Sequence, residues 1–505
     1  MYSSENEPTF EHPPLTKIIA TIGPASAGAR MVGKLIEAGV SVFRLNFSHG
    51  RPEHHHQSVQ TIRQVAASLE VPTAILADLP GPKIRVGMLP EGGVLAATGA
   101  TVKILRDEQC DAQADPIRLG TSCPNIVDDV QPGERVLIND GAVRMLAVEK
   151  AADGLICTVT HGGLVSSRKG INLPDSTLSI PSITDLDWRG AKWAVEHGID
   201  LLALSFVRSG DDVRELVQGI EKIKRKLDRP TLRMPVIAKV ELPCAVANIE
   251  GILEAAEGIM IARGDLGVEI DLARVPVIQK QLIERADYHG KPCIVATQML
   301  ESMVTSPVPT RAEASDVAGA IFDGVDAVML SGETAVGEFP AVAVEHMRRI
   351  AQYTEAHLAT LPQTTSAPQK LIESRYRTAA LAHGVWTVAQ DIGAKFIVVW
   401  SQQGGGARYL SQNNFRIPIF AITSDERAAR RMQLLRGVTP ICMDTPRDIE
   451  QFARDVDHHL MVLGLASHDD LCVLVVGHPI GKEGVTNALS VHSVGNVDTG
   501  PPIQV

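Results

Sequence analysis

Length, composition and charge place the chain in a broad class. Its 505 residues are too many for one hydrophobic core, and the composition of 45% hydrophobic, 21% charged and 4% aromatic residues indicates a globular protein with an aliphatic interior. The formal net charge of −11 argues against a binder of nucleic acid or anionic membranes, because such proteins usually display a basic face. We therefore expect any phosphate-binding site to be local.

The cysteines and the hydropathy pattern indicate a compartment. The seven cysteines are widely spaced and form no CxxC pair, which is typical of reduced thiols. No run of about eighteen apolar residues occurs, and the first fourteen residues are polar and contain proline. We expect a cytoplasmic protein with no export signal and no membrane span.

Apolar strand-like runs alternate with amphipathic helical patterns from Lys17 to about Glu345. This alternation predicts βα units of an α/β protein, and eight such runs predict a closed (β/α)8 TIM barrel. In these barrels, functional side chains collect at the carboxyl ends of the strands. The predicted strands are Ile18–Ile22, Val40–Leu45, Ala74–Ala77, Leu201–Leu204, Val236–Ala238, Ile259–Ala262, Cys293–Ala296 and Ala327–Leu330.

Polar residues follow seven of these eight strands. One such cluster can simply mark where the chain leaves the core, but seven at one rim favour a functional site. Lys239 with Glu241, and Arg263 with Asp265, follow two neighbouring strands. A lysine and two carboxylates at one rim suit a divalent cation and an anionic substrate, because hard cations prefer carboxylate oxygen and phosphates prefer cationic donors. The other rim residues are Arg44, Asn46, Ser48, His49, Asp78, Ser205, Thr297, Ser331 and Glu333.

The barrel pattern has one long interruption and one sequel. From about Val86 to Ser182, Thr, Val and Gly become frequent and turns such as Asn139-Asp140-Gly141 appear, which predicts a small β-barrel inserted after the third strand. The stretch Pro362–Pro368 is typical of a linker, and the runs beyond it predict an open α/β sheet. The predicted domains are residues 1–85 with 182–361 (barrel), 86–181 (inserted lid) and 362–505 (C-terminal effector and oligomerisation domain).

Eight stretches of the chain, in the same order, closely resemble the pyruvate kinase family. The match spans nearly the whole chain. The resemblance implies transfer of the phosphoryl group of phosphoenolpyruvate to ADP in glycolysis, giving pyruvate and ATP, by a cytoplasmic homotetramer. The stretches are Ala20–Ser26, Arg44–Gly50, Asp78–Arg85, Lys169–Pro174, Ile261–Glu269, Ala296–Ser302, Pro309–Glu313 and Met329–Ala335.

The resemblance also implies roles for the charged rim residues. Glu241 and Asp265 match the carboxylates that hold the catalytic Mg²⁺, or Mn²⁺ in its place, and two ligands suffice because water and substrate oxygens complete the octahedron. Lys239 matches the lysine beside the transferring phosphoryl group, where it stabilises the developing charge. Arg44 matches an arginine that contacts phosphate.

Further residues match substrate and nucleotide contacts. Gly264, Asp265 and Thr297 would bind the substrate carboxylate. Either Thr297, or a water relay through Ser331 and Glu333, would protonate the enolate carbon, and the sequence leaves this choice open. The nucleotide contacts implied by the resemblance, with the insertion closing over them as a lid, are Asn46, His49, Arg85 and Lys169.

One motif departs from the family. Many members hold K⁺ with residues that match Asn46, Ser48, Asp78 and the carbonyl of the next residue, in a motif that reads Asp-Thr-Lys-Gly-Pro-Glu. Here Leu79 replaces that threonine and Lys83 replaces that glutamate. Because an ammonium group repels a second cation, we predict activity without added K⁺.

The C-terminal unit resembles the family's effector domain, where a loop rich in Thr and Ser binds a sugar phosphate. The corresponding loop here has fewer hydroxyl donors, although glycine N–H groups can still bind an anion. Whether it binds a phosphorylated effector or is only a turn stays open. The loop consists of Ser401, Gln402, Gln403, Gly404, Gly405 and Gly406.

Two other functions fit the sequence less well than phosphoryl transfer does. A catalytically inactive regulatory homologue would be expected to lack at least one of the main rim residues, and none is missing. A lyase acting on phosphoenolpyruvate or pyruvate would share the rim chemistry but would not explain Arg85, Lys169 and the inserted lid.

Overall fold

The computed structural model describes residues 12–362, 368–477, 480 and 484–496. The chain begins with two βα units and a third strand, all formed by short aliphatic runs with buried side chains. The first helix ends at Gly39, whose φ of 116° lies in the left-handed region that glycine adopts without strain. These elements are β1 (Lys17–Thr21), α1 (Ala29–Ala38), β2 (Val40–Asn46), α2 (Pro52–Ser68) and β3 (Ala74–Asp78).

The inserted segment follows β3 and has its own apolar core. Its longer strands alternate buried and exposed residues, as expected for antiparallel strands with one solvated face. The predicted turn at Asn139-Asp140-Gly141 has positive φ at all three residues. The elements are β4 (Val94–Ala96), β5 (Thr101–Leu105), β6 (Ile117–Leu119), α3 (Ile126–Asp129), β7 (Arg135–Ile138), β8 (Val143–Ala151), β9 (Gly154–His161), β10 (Gly163–Val165) and β11 (Ile171–Asn172). They form a six-stranded sheet, β11-β7-β8-β9-β5-β6, and a two-stranded sheet of β10 and β4.

The chain then returns to the barrel. Thr184, Ser209 and Thr310 each begin a helix with a capping box, in which the N-cap hydroxyl accepts from the backbone N–H of the third helical residue and the carboxylate of that residue accepts from the N-cap N–H. The elements are α4 (Asp185–Glu196), β12 (Leu201–Leu204), α5 (Gly210–Lys226), β13 (Val236–Val240), α6 (Pro243–Ala247), α7 (Ile249–Ala255), β14 (Gly258–Ala262), α8 (Arg263–Glu269), α9 (Val275–His289), β15 (Cys293–Ala296), α10 (Arg311–Phe322), β16 (Ala327–Leu330), α11 (Gly332–Ala335) and α12 (Pro340–Thr360), with 3-10 turns at Leu272–Arg274 and Glu301–Val304.

The predicted barrel fold is confirmed. Eight strands close in the order β1-β16-β15-β14-β13-β12-β3-β2, and the neighbouring pairs are parallel. Lys239 lies within β13 rather than after it, because the strand continues to Val240. Leu434, from the C-terminal unit, packs among the residues that fill the barrel interior.

The C-terminal unit forms an open sheet in the order β19-β18-β17-β20-β21, in which β21 alone is antiparallel to its neighbour. The sequence did not predict β19 or β21. The predicted linker lies largely outside the described residues, which resume at Pro368. No described helix has the length and apolar character needed to cross a bilayer. The elements are α13 (Gln369–Glu373), α14 (Arg377–Asp391), β17 (Phe396–Trp400), α15 (Gly405–Ser411), β18 (Ile419–Thr423), α16 (Glu426–Met432), β19 (Val438–Cys442), α17 (Ile449–Val462), β20 (Leu471–Val476) and β21 (Ala488–Ser493).

Candidate active site

Lys239 lies at the centre of a buried network at the carboxyl end of the barrel. Its Nζ lies 2.9 Å from Oε1 of Glu241 and 3.3 Å from Oδ1 of Asp78, and it donates a hydrogen bond of 2.8 Å to Oγ of Ser205. All four side chains are buried. Burial lowers the pKa of Lys239, but Asp78 and Glu241 outweigh this effect and raise that pKa above its ordinary value. The lysine is therefore held in its charged form.

Arg44, on β2, reaches the same network from the opposite side. Its Nε donates a hydrogen bond of 2.7 Å to Oδ2 of Asp78, and its Nη1 donates one of 3.2 Å to Oγ1 of Thr21. Burial acts to raise the pKa of Asp78, but Lys239 and Arg44 outweigh it and lower this pKa. An ionised Asp78 thus fixes two cations, one on each carboxylate oxygen.

Glu241 and Asp265 form a pair of carboxylates at this rim. Burial raises the pKa of Glu241, Lys239 opposes the shift, and the charge of Asp265 adds to it. Oε2 of Glu241 also accepts a hydrogen bond of 2.7 Å from the N–H of Phe206. Nζ of Lys83 lies 3.4 Å from Oδ1 of Asp265. A divalent cation at this pair would relieve the repulsion between the two carboxylates.

Thr297 follows β15 in a backbone conformation that β-branched residues rarely adopt, with φ of 68°, and Gln298 follows with φ of 54°. The N–H of Gly264 donates a hydrogen bond of 2.7 Å to Oγ1 of Thr297. Nη2 of Arg263 donates to the carbonyl oxygens of Thr297 and Gln298 at 3.0 and 2.9 Å, while its Nη1 pairs with Asp316 at 2.7 Å. Strain held in place by a buried arginine is typical of a functional site.

Glu333 and Ser331 lie on the adjacent rim segment, after β16. The carboxylate of Glu333 accepts hydrogen bonds from the N–H groups of Leu300 and Ser331, at 3.0 and 2.7 Å. Burial raises the pKa of Glu333. The hydroxyl of Ser331 is buried and has no hydrogen-bond partner in the described part of the chain. Glu333 therefore holds two rim loops together, and Ser331 has a free hydroxyl.

A cleft of about 1070 Å³ separates the rim from the inserted segment. Gly264, Asp265 and Lys83 line it from the barrel, and Arg135 and Arg144 line it from the insertion. These two arginines could not be predicted from the sequence, because nothing in the pattern of an antiparallel strand shows which exposed residue faces another domain. The wall from the insertion thus carries two cations, while the wall from the barrel carries both a lysine and a carboxylate.

The four residues predicted to contact nucleotide lie in two groups. In the first, the N–H of His49 donates to the carbonyl of Asn46 at 3.2 Å, and the His49 side chain is exposed. In the second, Nη1 of Arg85 donates to the carbonyl of Arg168 at 3.0 Å, next to the exposed Lys169. Within the described residues, no hydrogen bond or ion pair joins the two groups.

The residues that match the family's K⁺ site form contacts with other parts of the protein or with one another. Asp78 is paired with Lys239 and Arg44, and the N–H of Ser48 donates a hydrogen bond of 3.1 Å to Oδ1 of Asn46. The side chain of Leu79 is fully buried, and its N–H donates to the carbonyl of Ala203 at 3.0 Å.

The predicted effector loop joins β17 to α15. Oγ of Ser401 accepts a hydrogen bond of 3.2 Å from the N–H of Ala407, and Gly404 has φ of 85°. Gly406 lies so close to Thr486 that a Cβ added at this glycine would lie 3.2 Å from Oγ1 of that threonine. Residues 481–483, which precede this threonine by three to five positions, lie outside the described part.

Comparisons with known proteins agree with this architecture. Residues 14–344 match the family described as "Pyruvate kinase, barrel domain", and residues 379–492 match "Pyruvate kinase, alpha/beta domain". The chain is 40% identical to a pyruvate kinase of Corynebacterium efficiens, over 96% of this chain and 99% of that protein, and 38% identical to one of Mycobacterium tuberculosis, over 95% and 99%.

A solved structure shares the fold as well. The crystal structure of a pyruvate kinase from Cryptosporidium parvum superimposes with a TM-score of 0.85 and 32% identity, covering 95% of this chain and 96% of that one. The chain therefore belongs to the pyruvate kinase family.

Proposed function

We propose that the chain transfers the phosphoryl group of phosphoenolpyruvate to ADP, giving pyruvate and ATP, with Mg²⁺ or Mn²⁺ and without a requirement for K⁺. The observation that carries this proposal is the buried network in which Lys239 and Arg44 are both paired with Asp78. Phosphoryl transfer needs little covalent help from the protein and depends mainly on cations that are already in position.

The donor set fits a hard divalent cation. Glu241 and Asp265 offer carboxylate oxygens, and among the described residues no group of three His, Cys, Asp or Glu side chains could hold a metal without other ligands. Mg²⁺ commonly uses one or two carboxylates and fills its remaining positions with water and substrate oxygens. When bound at these carboxylates, the cation would neutralise charge on the phosphoryl oxygens.

Lys239 and Arg44 bind and orient the phosphoryl group. Asp78 and Glu241 keep Lys239 protonated, so its ammonium group presents a full positive charge to the phosphoryl oxygens and to the enolate that forms as the group leaves. Arg44 uses Nε and Nη1 for Asp78 and Thr21, and its Nη2 makes no hydrogen bond to a described residue. That nitrogen is available for a phosphate oxygen.

Gly264 and Thr297 would hold the substrate carboxylate. The N–H of Gly264 donates to Oγ1 of Thr297, and that hydroxyl donates to the carbonyl of Ala296 at 2.6 Å, so a bound carboxylate would replace these two hydrogen bonds. The clamp of Arg263 on the strained Thr297 keeps this position fixed. The enolate carbon takes its proton from Thr297 or from a water molecule on the free hydroxyl of Ser331, with Glu333 holding that loop.

Arg85 and Lys169, with Asn46 and His49, would contact the nucleotide, although none of the four lines the cleft described above. Arg135 and Arg144 add positive charge on the wall that the insertion contributes to that cleft. Closing of the insertion would exclude water and so favour transfer to ADP over hydrolysis.

The ammonium group of Lys83 supports the proposed independence of K⁺. It lies beside Asp265, within reach of the phosphoryl site, and supplies a fixed positive charge there. A K⁺ ion in the same region would meet this charge and the two cations paired with Asp78, and would be repelled.

The remaining predictions belong to the same proposal. These are a glycolytic enzyme in the cytoplasm, a homotetramer, the three-domain division at residues 85/86, 181/182 and 361/362, and a phosphorylated effector at Ser401–Gly406. The family match supports them, and size-exclusion chromatography with light scattering would test the oligomer directly.

A coupled assay tests the reaction. Phosphoenolpyruvate and ADP, in a buffer that contains Mg²⁺ but no K⁺ or NH₄⁺, should yield pyruvate and ATP in equal amounts. Absence of pyruvate both without and with added K⁺, or pyruvate formation without ADP, would exclude the proposed reaction, and pyruvate formation only with added K⁺ would exclude the role of Lys83.

A further inference from the structure

Helix α8 is joined to the inserted segment by a buried hydrogen bond. The helix carries Asp265 in its first turn and ends at Glu269. Oε1 of Glu269 accepts a hydrogen bond of 2.8 Å from Nδ2 of Asn172, which lies on β11 of the insertion. The two residues are 4% and 6% exposed. The proposed metal ligand Asp265 and the lid are thus connected through one short helix.

Asn172 belongs to the segment that carries the proposed nucleotide contacts. The carbonyl of Lys169 accepts from the N–H of Val86 at 2.8 Å, and the N–H of Ile171 donates to the carbonyl of Ile84 at 2.9 Å. Arg85, between these two partners, therefore lies against the same segment. A displacement of Asn172 would move Lys169 and Arg85 together.

Stabilisation of the fold alone does not account for the pairing of Glu269 with Asn172. No cation among the described residues lies within ion-pair distance of Glu269. Burial raises the pKa of Glu269 to about 7, with the Asn172 hydrogen bond acting against the shift. Oδ1 of Asn172 is buried and has no hydrogen-bond partner among the described residues. Buried groups left incompletely satisfied are destabilising, and such groups in a native structure indicate a functional constraint.

The surroundings leave room for movement. A cavity of about 400 Å³ lies around the pair, with walls from both the insertion and the barrel. Because this space lies between insertion and barrel, specific contacts across it help to set the angle between them. Besides the bonds from Nη1 of Arg208 to the carbonyls of Leu178 and Ile180, the hydrogen bond between Asn172 and Glu269 is such a contact.

We propose that Glu269 is a positioning residue, which through Asn172 sets the angle of the lid so that Lys169 and Arg85 meet the nucleotide phosphates. This inference rests on the proposed transfer to ADP. It assigns Glu269 no contact with substrate. Loss of the hydrogen bond should therefore weaken the use of ADP and leave the use of phosphoenolpyruvate nearly unchanged.

Single substitutions give the first test. Glu269→Leu and Asn172→Leu should each raise KM for ADP about tenfold, the effect expected for one buried hydrogen bond. KM for phosphoenolpyruvate should change less than about twofold, because Lys239, Arg44 and Thr297 do not contact the pair. Glu269→Gln retains an acceptor oxygen and should raise KM for ADP less than Glu269→Leu does. Asn125→Ala is the matched control, since Nδ2 of Asn125 bonds Ser179 within the insertion and not the barrel.

A polarity swap separates positioning from simple stabilisation. Asn172→Asp places a second carboxylate against Glu269 and should raise KM for ADP. Adding Glu269→Gln to it restores a donor and an acceptor in reversed order, and should return KM for ADP towards the wild-type value. Thermal unfolding of each variant shows whether the fold is intact, and direct titration with ADP gives the affinity if turnover is too slow.

The outcomes are distinct. A rise of KM for ADP in the single variants and recovery in the double variant support the inference. Unchanged KM for ADP in folded variants overturns it, as does an equal change for both substrates that follows the loss of thermal stability. If the wild-type protein makes no pyruvate, the proposed function fails, and titration with ADP still tests the role of Glu269 in nucleotide binding.

Discussion

Buried charged residues at the two ends of the barrel, two at each end, differ in the partners that they contact. At the carboxyl end, Lys239 and Asp78 are buried in contact with opposite charges. At the amino end, Lys17 donates to the carbonyl of Val438 at 2.6 Å, and Asp326 accepts from the N–H of Cys293 at 2.7 Å. Burial lowers the pKa of Lys17 to about 8 and raises that of Asp326 to about 7.

This difference separates a chemical role from a structural one. Lys17 and Asp326 hydrogen-bond to backbone, and burial shifts the pKa of each towards its neutral form, so they join barrel strands to one another and to the C-terminal sheet. Lys239 and Asp78 keep each other ionised, at a rim where Gly264 and Asp265 line a cleft that can admit a charged substrate. Asp200, also at the amino end, is buried and paired with Arg63 and Arg430, so convergence of opposite charges marks an active site only where it adjoins a cleft that substrate can enter.

The sharpest way to break this comparison is to remove a lysine from each end. Lys239→Met should lower kcat by about 100- to 1000-fold or more, because it removes a preorganised cation from the reacting group. Lys17→Met should leave kcat within about threefold, since its partner is a backbone carbonyl far from the rim. Steady-state kinetics of both variants, with circular dichroism to confirm folding, make the measurement. An equal loss of activity in the two variants would contradict the division between the ends.

Removing a carboxylate from each end gives the next largest contrast. Glu241→Gln should raise the Mg²⁺ concentration needed for half-maximal rate more than roughly 100-fold. Loss of a residue that only hydrogen-bonds to a metal ligand typically costs roughly 10- to 100-fold, and loss of a ligand should cost more. Asp326→Asn should leave the Mg²⁺ dependence unchanged. Rates measured against free Mg²⁺ test both, and an unaltered Mg²⁺ requirement in Glu241→Gln would remove that residue from the proposed metal site.

A charge reversal at Lys83 tests how much of the positive charge at the rim the protein supplies. Lys83→Glu should lower the rate in K⁺-free buffer by at least about tenfold, and added K⁺ should restore much of it, because the carboxylate no longer repels a monovalent cation. The wild-type rate should not respond to K⁺. A variant that stays insensitive to K⁺ would show that Lys83 does not replace the ion.

The change with the smallest expected effect on activity lies at the amino end and concerns stability. The pKa of Asp326 is about 7 in the folded protein and near 3.8 when unfolded, so the folded state binds the proton more tightly. Its contribution is complete below pH 3.8 and is lost as the pH rises towards and through 7, by on the order of 4 kcal/mol. Asp326→Asn should remove this part of the pH dependence. Urea unfolding of both proteins at pH 5 and pH 8 checks it, and identical pH dependence would contradict the assignment.

The sequence predicted the barrel well because its strands are short, aliphatic and covered on both faces. It missed β19, which contains Pro440, and β21, which has exposed residues and lies at the sheet edge. A proline and an exposed face both weaken the strand pattern. In these two strands, position in the sheet overrides local preference.

The positions of the main site residues could also be predicted, because polar residues after parallel strands meet at one rim. Their contacts could not. The bridge from Lys239 to Asp78 depends on the closed order of the strands, and the clamp of Arg263 on Thr297 depends on a positive φ that a threonine does not suggest. Likewise, Glu269 lies far from Asn172 in the sequence, and only the packing of the insertion brings them together.

The central claim is that the carboxyl-end network moves a phosphoryl group from phosphoenolpyruvate to ADP, and phosphorus NMR tests it most directly. With both substrates and Mg²⁺ in K⁺-free buffer, the account predicts that the phosphoenolpyruvate resonance falls as the γ-phosphate resonance of ATP rises, one for one, and that Lys239→Met abolishes the change while Lys17→Met preserves it. Release of inorganic phosphate instead of ATP, or equal loss in the two variants, would contradict the account.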